Sequence, residues 1–359
     1  MRVVDLFCGG GGFSLGAHNA GIPVVAAFDV NSTLTSSFEH NFPKTALHLT
    51  DISKLTGSTI EAAIGGKVDG VFGGPPCQGF SDIGRRAVDD PRRDLLLDFF
   101  RLVAELKPAF FVMENVRGLA YEDARGVLDL ALGKVAGRYD LIGPVILDAA
   151  QFGAATRRRR LFVIGLDPTR CDPLTLEDIG LQKCPPATVR QAIGDLEGAV
   201  QQQDVGKFDQ WKITKPGRPS DYARALRSSE RTFTGHRATV HTEDVIKRFA
   251  AVLPGKVDTV GRHPRLDWAG QCPTLRAGTG SDKGSYQAVR PIHPDEPRVI
   301  TVREAARLQG FPDAFQFHPT VWHSFRMIGN SVSPIISKTI FSLIADRIEV
   351  ATPLSDAAE

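Results

Sequence analysis

MRVVDLFCGGGGFSLGAHNAG, residues 1–21, sets a short apolar, β-branched run (VVDLF, 3–7) against four consecutive glycines, Gly9 to Gly12, and then a helical pattern that stops at Gly21. A strand that turns through glycine into a helix opens a βαβ unit. Glycine has no Cβ, so a ligand can lie against the backbone, and the first helical turn leaves amides free to meet it. The spacing fits neither GxGxxG nor a phosphate loop with its lysine, so an adenosine-containing cofactor other than a dinucleotide is expected.

The same rhythm continues outward. PVVAAF (23–28) precedes a helical pattern over 32–42, VDGVF (68–72) precedes the helix LLLDFFRLVAEL (95–106), and AFFVM (109–113) reads as a buried strand. Two more strands are expected near 141–147 and 161–166. The alternation predicts the α/β class, a doubly wound, mostly parallel sheet. From about Cys171 to about Asp295 the sequence turns rich in Pro, Gln, Lys and Gly, which predicts a second, smaller domain of irregular or β-rich character. Helical order returns in TVREAARLQG (301–310) and in PIISKTIFSLIADRI (334–348), where Pro334 suits a first helical turn. No sequence precedes the first strand to form the helix usual there, so the terminal helix is expected to fill that place. GFPD (310–313) reads as a helix-ending turn, with Leu308 and Phe311 in the core.

With 359 residues, 42% of them hydrophobic, the chain can bury a large core, which excludes global disorder. The net charge of +2 conceals two arginine clusters, Arg85, Arg86, Arg92 and Arg93, and the unbroken run Arg157 to Arg160. Both imply an anionic partner. The five cysteines are odd in number and lack any CxxC pair, so neither a disulfide framework nor a zinc site is expected, and the setting is a reducing cytoplasm. His236, His241, His293, His318 and His323 lack ligand spacing, so no metal is expected. No apolar run approaches the roughly 18 residues of a membrane span, so a membrane partner is not expected.

Three features converge on one edge of such a sheet. GGPPCQGFS (73–81) presents Cys77 on a stiff Pro-Pro turn after the strand VDGVF, which suits a nucleophile better than a core filler. ENVRG (114–118) follows AFFVM and puts Glu114 on the same rim, where an apolar setting would favour its protonated form. Asp29, ending the second strand, is placed for ribose hydroxyls, and Asp51, near the end of the third, for an adenine amino group. Each aspartate also reads as a cap or turn residue.

Together these residues resemble the DNA cytosine-5 methyltransferase family, in the family's motif order and over most of the chain. DLFCGGGGF (5–13) is similar to its S-adenosylmethionine loop, PPCQGFS (75–81) to its nucleophile turn and ENVRG to its glutamate motif. FGAATRRRRLFVIG (152–165) is similar to its arginine motif, REAARLQGFPD (303–313) to the segment joining its small domain, and IGNSVSP (328–334) to its closing cofactor motif. The resemblance implies S-adenosylmethionine contacts at Phe7, Gly9, Gly10, Gly12, Asp29, Val30, Asp51, Ile52, Pro76, Leu95, Asn330 and Val332. It makes Cys77, Glu114 and Arg158 the catalytic set, and implies contacts with double-stranded DNA at Gln78, Ser81, Arg85, Arg86, Arg92, Arg93 and Arg160.

It also implies a catalytic domain of residues 1–197 completed by 325–350, a target-recognition domain of 198–324 and a tail of 351–359. A monomer is expected, compatible with genetic pairing to a restriction endonuclease or another defence system. Where the family usually carries a Pro-Gln pair, this chain has Ala155 and Thr156, and altered DNA contacts are expected there. One branch of the family acts on tRNA and carries a Cys-Phe-Thr signature, of which Thr232, Phe233 and Thr234 are a faint echo. A non-catalytic DNA-binding relative would have no use for Cys77 and Glu114. A dehydrogenase would leave PPCQ and ENV without a purpose. Residues 273–291, rich in Gly, Ser and basic residues, read as a nucleic-acid contact or as a plain hairpin.

Overall fold

The computed structural model describes residues 1–76, 94–214, 217–278 and 289–348. Short apolar runs bounded by Gly, Pro or Asp form the strands β1 (Val3–Leu6), β2 (Val24–Asp29), β3 (Ala46–Leu49), β4 (Gly70–Gly73), β5 (Phe110–Val116), β6 (Asp140–Asp148) and β7 (Arg159–Leu166). They join in one sheet in the order β3-β2-β1-β4-β5-β7-β6. β1 to β5 pair in parallel, while β7 runs antiparallel to both β5 and β6. The fold is therefore doubly wound and mostly parallel, with one reversed strand near its edge.

Period-two alternation splits the strand side chains between two cores. Val3, Phe72, Phe110, Val112 and Ile164 face α1 (Gly12–Asn19), while Val4, Leu6, Val71, Phe111, Met113 and Val163 face the opposite helices. The sequence between β2 and β3 carries only one helical turn, α2 (Phe38–Asn41), where a helix over 32–42 was expected. The Asn31 side chain accepts the amides of Thr33 and Leu34, so a side-chain-closed turn outcompetes the helix there. The second face is covered by α3 (Gly57–Ile64), α4 (Asp94–Leu106) and α5 (Glu122–Gly133). In α4, Leu96, Phe99, Phe100, Val103 and Leu106 form the buried stripe at helical spacing.

Beyond β7 the chain is largely irregular, with short helices α6 (Leu176–Leu181) and α7 (Val189–Ile193). A three-stranded antiparallel sheet of β8 (Val200–Gln201), β9 (Gln210–Lys212) and β10 (Thr232–Thr234) is flanked by α8 (Asp221–Leu226) and α9 (Glu243–Ala250). The next helix, α10 (Val302–Gln309), has a Thr301/Glu304 capping box and ends at Gly310, whose φ of 95° needs glycine. Every residue of α10 is buried, Arg303, Glu304 and Arg307 included. Arg303 donates to the carbonyls of Thr234, Pro312 and Phe315, and Arg307 pairs with Asp313 and Asp195. Leu308 and Phe311 lie in the core, as expected.

The last helices are α11 (Val321–Asn330) and α12 (Pro334–Ala345), the latter with its proline at the first turn. α12 lies along α1, where Ser337 Oγ donates to the Phe13 carbonyl at 2.9 Å. A Cβ on Gly16 would collide with Ser337, so glycine permits this approach. The terminal helix thus packs beside the first one, as expected. Among the described residues, the stretch Val321–Ala345 passes for a membrane span by length and composition alone, yet 72% of its most apolar window is buried inside the protein. Its apolarity is used in packing.

Candidate active site

Parallel register brings the chemistry together. Phe28, Leu6, Gly73 and Met113 stand in one row across β2, β1, β4 and β5. The next residues along these strands are Asp29, Phe7, Gly74 and Glu114, which stand side by side toward the carboxyl rim of the sheet, where open α/β sheets bind ligands.

The first loop is held under strain. Phe7 sits at φ 67°, an unusual conformation for a non-glycine residue, and the amides of Phe7 and Cys8 both reach the Phe28 carbonyl. Asp29 Oδ2 accepts from the Gly9 amide at 2.8 Å and Oδ1 from the Asn31 amide at 2.8 Å. Burial lifts the Asp29 carboxyl above its ordinary range, and the amides of Asn31, Gly9 and Val30 work against that rise. Gly10 and Gly12 press on the residues after α11. A Cβ on Gly12 would meet the Val332 carbonyl at 2.5 Å, and one on Gly10 would meet Met327 Cβ at 3.1 Å. Asn330 is exposed beside this contact and Val332 is buried in it.

The remaining expected cofactor residues divide. Val30 is exposed just past Asp29, Pro76 and Leu95 are half-buried, and Ile52 is buried in the core beneath α3 and α4. Asp51 Oδ1 accepts from the amide and hydroxyl of Ser53, so one of its oxygens already caps the short turn Ile52–Lys54. These hydrogen bonds hold the Asp51 carboxyl below its ordinary range. The glycine turn, the Asp29 carboxylate and the free amides of α1 form a cradle that would accept an adenosine-bearing, zwitterionic ligand.

Glu114 is the buried acid of the site. Gly74 makes room for it, since a Cβ there would lie 3.2 Å from Glu114 Oε2. Glu114 Oε1 forms an ion pair with Arg160 Nε at 3.0 Å. Burial raises the Glu114 pKa above its ordinary value, and the positive charges of Arg160 and then Arg158 pull it back. Asn115 was not singled out from sequence, yet its Nδ2 donates to the Pro75 carbonyl at 3.1 Å and pins the Pro-Pro turn beside Glu114. Its position inside ENVRG was the available signal. Gln309 was also missed. Its Nε2 donates to the carbonyls of Ile328 and Ser331, which fixes the backbone on either side of Asn330.

The two motif arginines both act on Glu114 electrostatically but meet different partners. Arg160, expected on DNA, faces Glu114. Arg158, expected among the reacting groups, is 2% exposed, with Nη1 donating to the Leu275 carbonyl at 3.3 Å and Nη2 to the Gly329 carbonyl at 2.8 Å. It bridges β7, the 272–278 segment and the end of α11. Alternation turns both arginines inward, and what separates them is the set of carbonyls that only the tertiary fold supplies to Arg158. Thr156 also keeps a bond of its own, donating to the Cys272 carbonyl at 3.1 Å. Cys77, Gln78, Ser81, Arg85, Arg86, Arg92 and Arg93 lie outside the described residues, as do 279–288 and the expected tail 351–359. Among the described residues, no group of three or more His, Cys, Asp or Glu is placed to hold a metal ion.

The chain and its fold have known counterparts. A model of the C-5 cytosine-specific DNA methylase family matches residues 1–346. The type II methyltransferase M.XorII of Xanthomonas oryzae pv. oryzae is 42% identical over 356 residues, covering 94% of this chain and 82% of the relative. The type II methyltransferase M.DdeI of Desulfomicrobium norvegicum is 28% identical, over 99% of this chain and 91% of its own. Among solved structures, a putative DNA modification methyltransferase encoded within an E. coli prophage aligns with a TM-score of 0.83 and 37% identity, over 96% of this chain and 99% of that one. The S. pombe Dnmt2 methyltransferase shares the fold, with a TM-score of 0.64 and 20% identity over 96% of this chain and 98% of its own.

Proposed function

Because this chain belongs to the C-5 cytosine-specific DNA methylase family and is a DNA cytosine-5 methyltransferase, we propose that it acts on a cytosine flipped out of a specific double-stranded DNA sequence, through a transient bond from Cys77 to C6. The observation that carries this reading is Glu114, a buried acid with a raised pKa, one residue from the asparagine that pins the turn leading into Cys77.

S-adenosylmethionine, when bound, supplies an electrophilic methyl group. Asp29 and the Gly9 to Gly12 turn would hold it, with Val30, Asn330 and Val332 around them; the fit rests on the open space at Gly9, where an added Cβ would meet nothing within 4 Å, and on the Asp29 carboxylate beside the Gly9 amide. Cytosine C5 is a poor nucleophile while the ring is aromatic. Addition of the Cys77 thiolate to C6 breaks the aromaticity and drives negative charge toward N3. A protonated Glu114 donates to N3 there, and Arg160 holds the carboxylate that remains. C5, now an enamine carbon, takes the methyl group, and the adduct resolves when the C5 proton leaves, Cys77 is eliminated from C6 and the N3 proton returns to Glu114. We assign Arg160 the direct role beside Glu114 and Arg158 the positioning of the surrounding segments.

The target must leave the stack to reach this site, at a cost of a few kcal/mol. Residues 198–324 are proposed as the recognition region and 1–197 with 325–350 as the catalytic one. The type II names of the relatives support pairing with a restriction endonuclease, in the cytoplasm with the DNA.

The reading is tested with DNA carrying 5-fluorocytosine at the target. With cofactor present the C5 substituent cannot leave as a proton, so a covalent adduct to Cys77 is expected, and Cys77→Ser should abolish it. Nucleoside analysis of DNA and tRNA pools accompanies the trap. 5-Methylcytosine in tRNA alone would move the substrate to RNA, and its absence from both pools, with folded cofactor-binding protein, would end the proposal.

A further inference from the structure

The four consecutive arginines divide by the alternation of the strand they enter. Arg158 and Arg160 turn inward, one to the Leu275 and Gly329 carbonyls and one to Glu114. Arg157 and Arg159 turn outward and are exposed. They line an open groove of about 450 Å3 at the edge of the sheet, whose far wall includes Lys183, Cys184 and Gln271.

This groove is built on pinned backbone. The Cys184 amide donates to the Gln151 carbonyl at 2.9 Å, which fixes the far wall to the turn after β6. The Arg157 amide donates to the Cys272 carbonyl at 2.9 Å, and Thr274 Oγ1 donates to the Arg157 carbonyl at 2.7 Å. Arg157 Nη2 reaches Gln271 Oε1 at 3.4 Å, and Arg159 Nε lies 3.4 Å from Asp148 Oδ2. Three cations thus face one carboxylate. The surplus positive charge is held in place.

We propose that this groove seats phosphates of the DNA strand flanking the target cytosine, a second backbone-binding surface beside the catalytic rim; the proposal rests on the DNA methyltransferase reading. Three properties favour a phosphodiester backbone over a free nucleotide. The groove is open, its lining has no aromatic ring on which a base could stack, and it continues the rim that carries Glu114. Arg159 lies one strand over from Glu114 and three residues further along from its partner Phe162. With strands about 4.8 Å apart and a rise of about 3.3 Å per residue, that separation is on the order of 11 Å. At about 3.4 Å per nucleotide of one strand, it corresponds to about three nucleotides from the target.

The test is the salt dependence of binding by the full chain carrying R157Q, R159Q and K183Q. The duplex is the methylated site with about ten base pairs on each side, and cofactor affinity and thermal midpoint serve as controls of folding. Each phosphate contact contributes about 0.9 to the slope of log K against log salt, so losing three should flatten the slope by about 2.7. Between 0.05 and 0.2 M salt the wild type should then lose about 40-fold more affinity than the variant. On a duplex trimmed to the core of the site, the difference should vanish. An unchanged slope on the long duplex overturns the proposal, and so does an equal change on the trimmed one. A slope change seen with tRNA but not DNA would give the groove to another partner and also overturn it. Failure of the wild type to methylate DNA would be seen in the unmutated control, which separates it from failure of the groove.

Discussion

Arg158 and Arg160 should fail in opposite ways when each is replaced by methionine. Arg158→Met removes two buried hydrogen bonds from a charged donor, to the Leu275 and Gly329 carbonyls. Such bonds are worth about 1.5–3 kcal/mol each, and the methionine recovers part of the desolvation, so a net loss of about 3–5 kcal/mol is expected. With a urea m-value of about 3 kcal/mol/M, the midpoint should fall by about 1–1.7 M.

Arg160→Met leaves Glu114 without its partner, but Glu114 can take up a proton. From the ordinary value of 4.5, uptake at pH 7 spans 2.5 units at about 1.36 kcal/mol each, which caps the loss near about 3.4 kcal/mol; at pH 5.5 the cap is about 1.4 kcal/mol. The sign follows from linkage. The Glu114 pKa is raised in the folded state, so folded protein binds the proton more tightly and stability falls as pH climbs through the interval between the unfolded and folded values. Removing Arg160 moves the folded value further up and makes that fall steeper. Arg158→Met should depend on pH less, because its two hydrogen bonds go to carbonyls and its charge is the smaller of the two pulls on Glu114.

Urea titrations at pH 5.5 and 7, paired with single-turnover methylation, read both. Arg160→Met should lower the rate by about 10²–10³ while folding nearly normally at pH 5.5. If Arg160→Met is the more destabilising of the two at pH 5.5, or Arg158→Met unfolds at the wild-type midpoint, the assignment of the two arginines is wrong.

Two further outcomes follow from the packing. Gly16→Ala should destabilise by about 1–2 kcal/mol, since overpacking against Ser337 outweighs the gain in helix propensity. Gly126→Ala, in α5 with nothing within 4 Å of its added Cβ, should stabilise by about 0.5–1 kcal/mol, so thermal midpoints moving in the same direction would contradict the seam between α1 and α12. Asp29→Ala should weaken S-adenosylmethionine binding about 10- to 100-fold by titration calorimetry, the equivalent of one charged hydrogen bond. A change under about 3-fold would remove Asp29 from the cofactor site.

The strands β1, β2, β4 and β5 were legible because each is a short apolar run closed by glycine, proline or an acid, and their order put Glu114 and the Pro-Pro turn on one rim. The reversal of β7 was not legible, since a buried strand has the same apolar pattern in either direction. The expected helix over 32–42 failed through Asn31, whose side chain closes a turn that no hydrophobic period announces. α10 was legible as a helix, but its burial was not. Arg303 and Arg307 are made interior residues by the carbonyls of Pro312 and Phe315 and the acid Asp313 just past the helix, and by the Thr234 carbonyl and Asp195 from far along the chain. The roles of Arg158 and Arg160 were blurred for a similar cause, because the groups that meet them lie far away in sequence.

The seat of α12 against α1 has a bearing on synthesis. Ser337 and Phe13 are 324 positions apart, and the glycine turn rests on residues 327–332. During translation the first strand and its glycines leave the ribosome early, but their supporting wall emerges only after residue 332 has been made. Contacts this distant close late in folding. A chain stopped before residue 332 therefore lacks the wall on which the glycine turn rests.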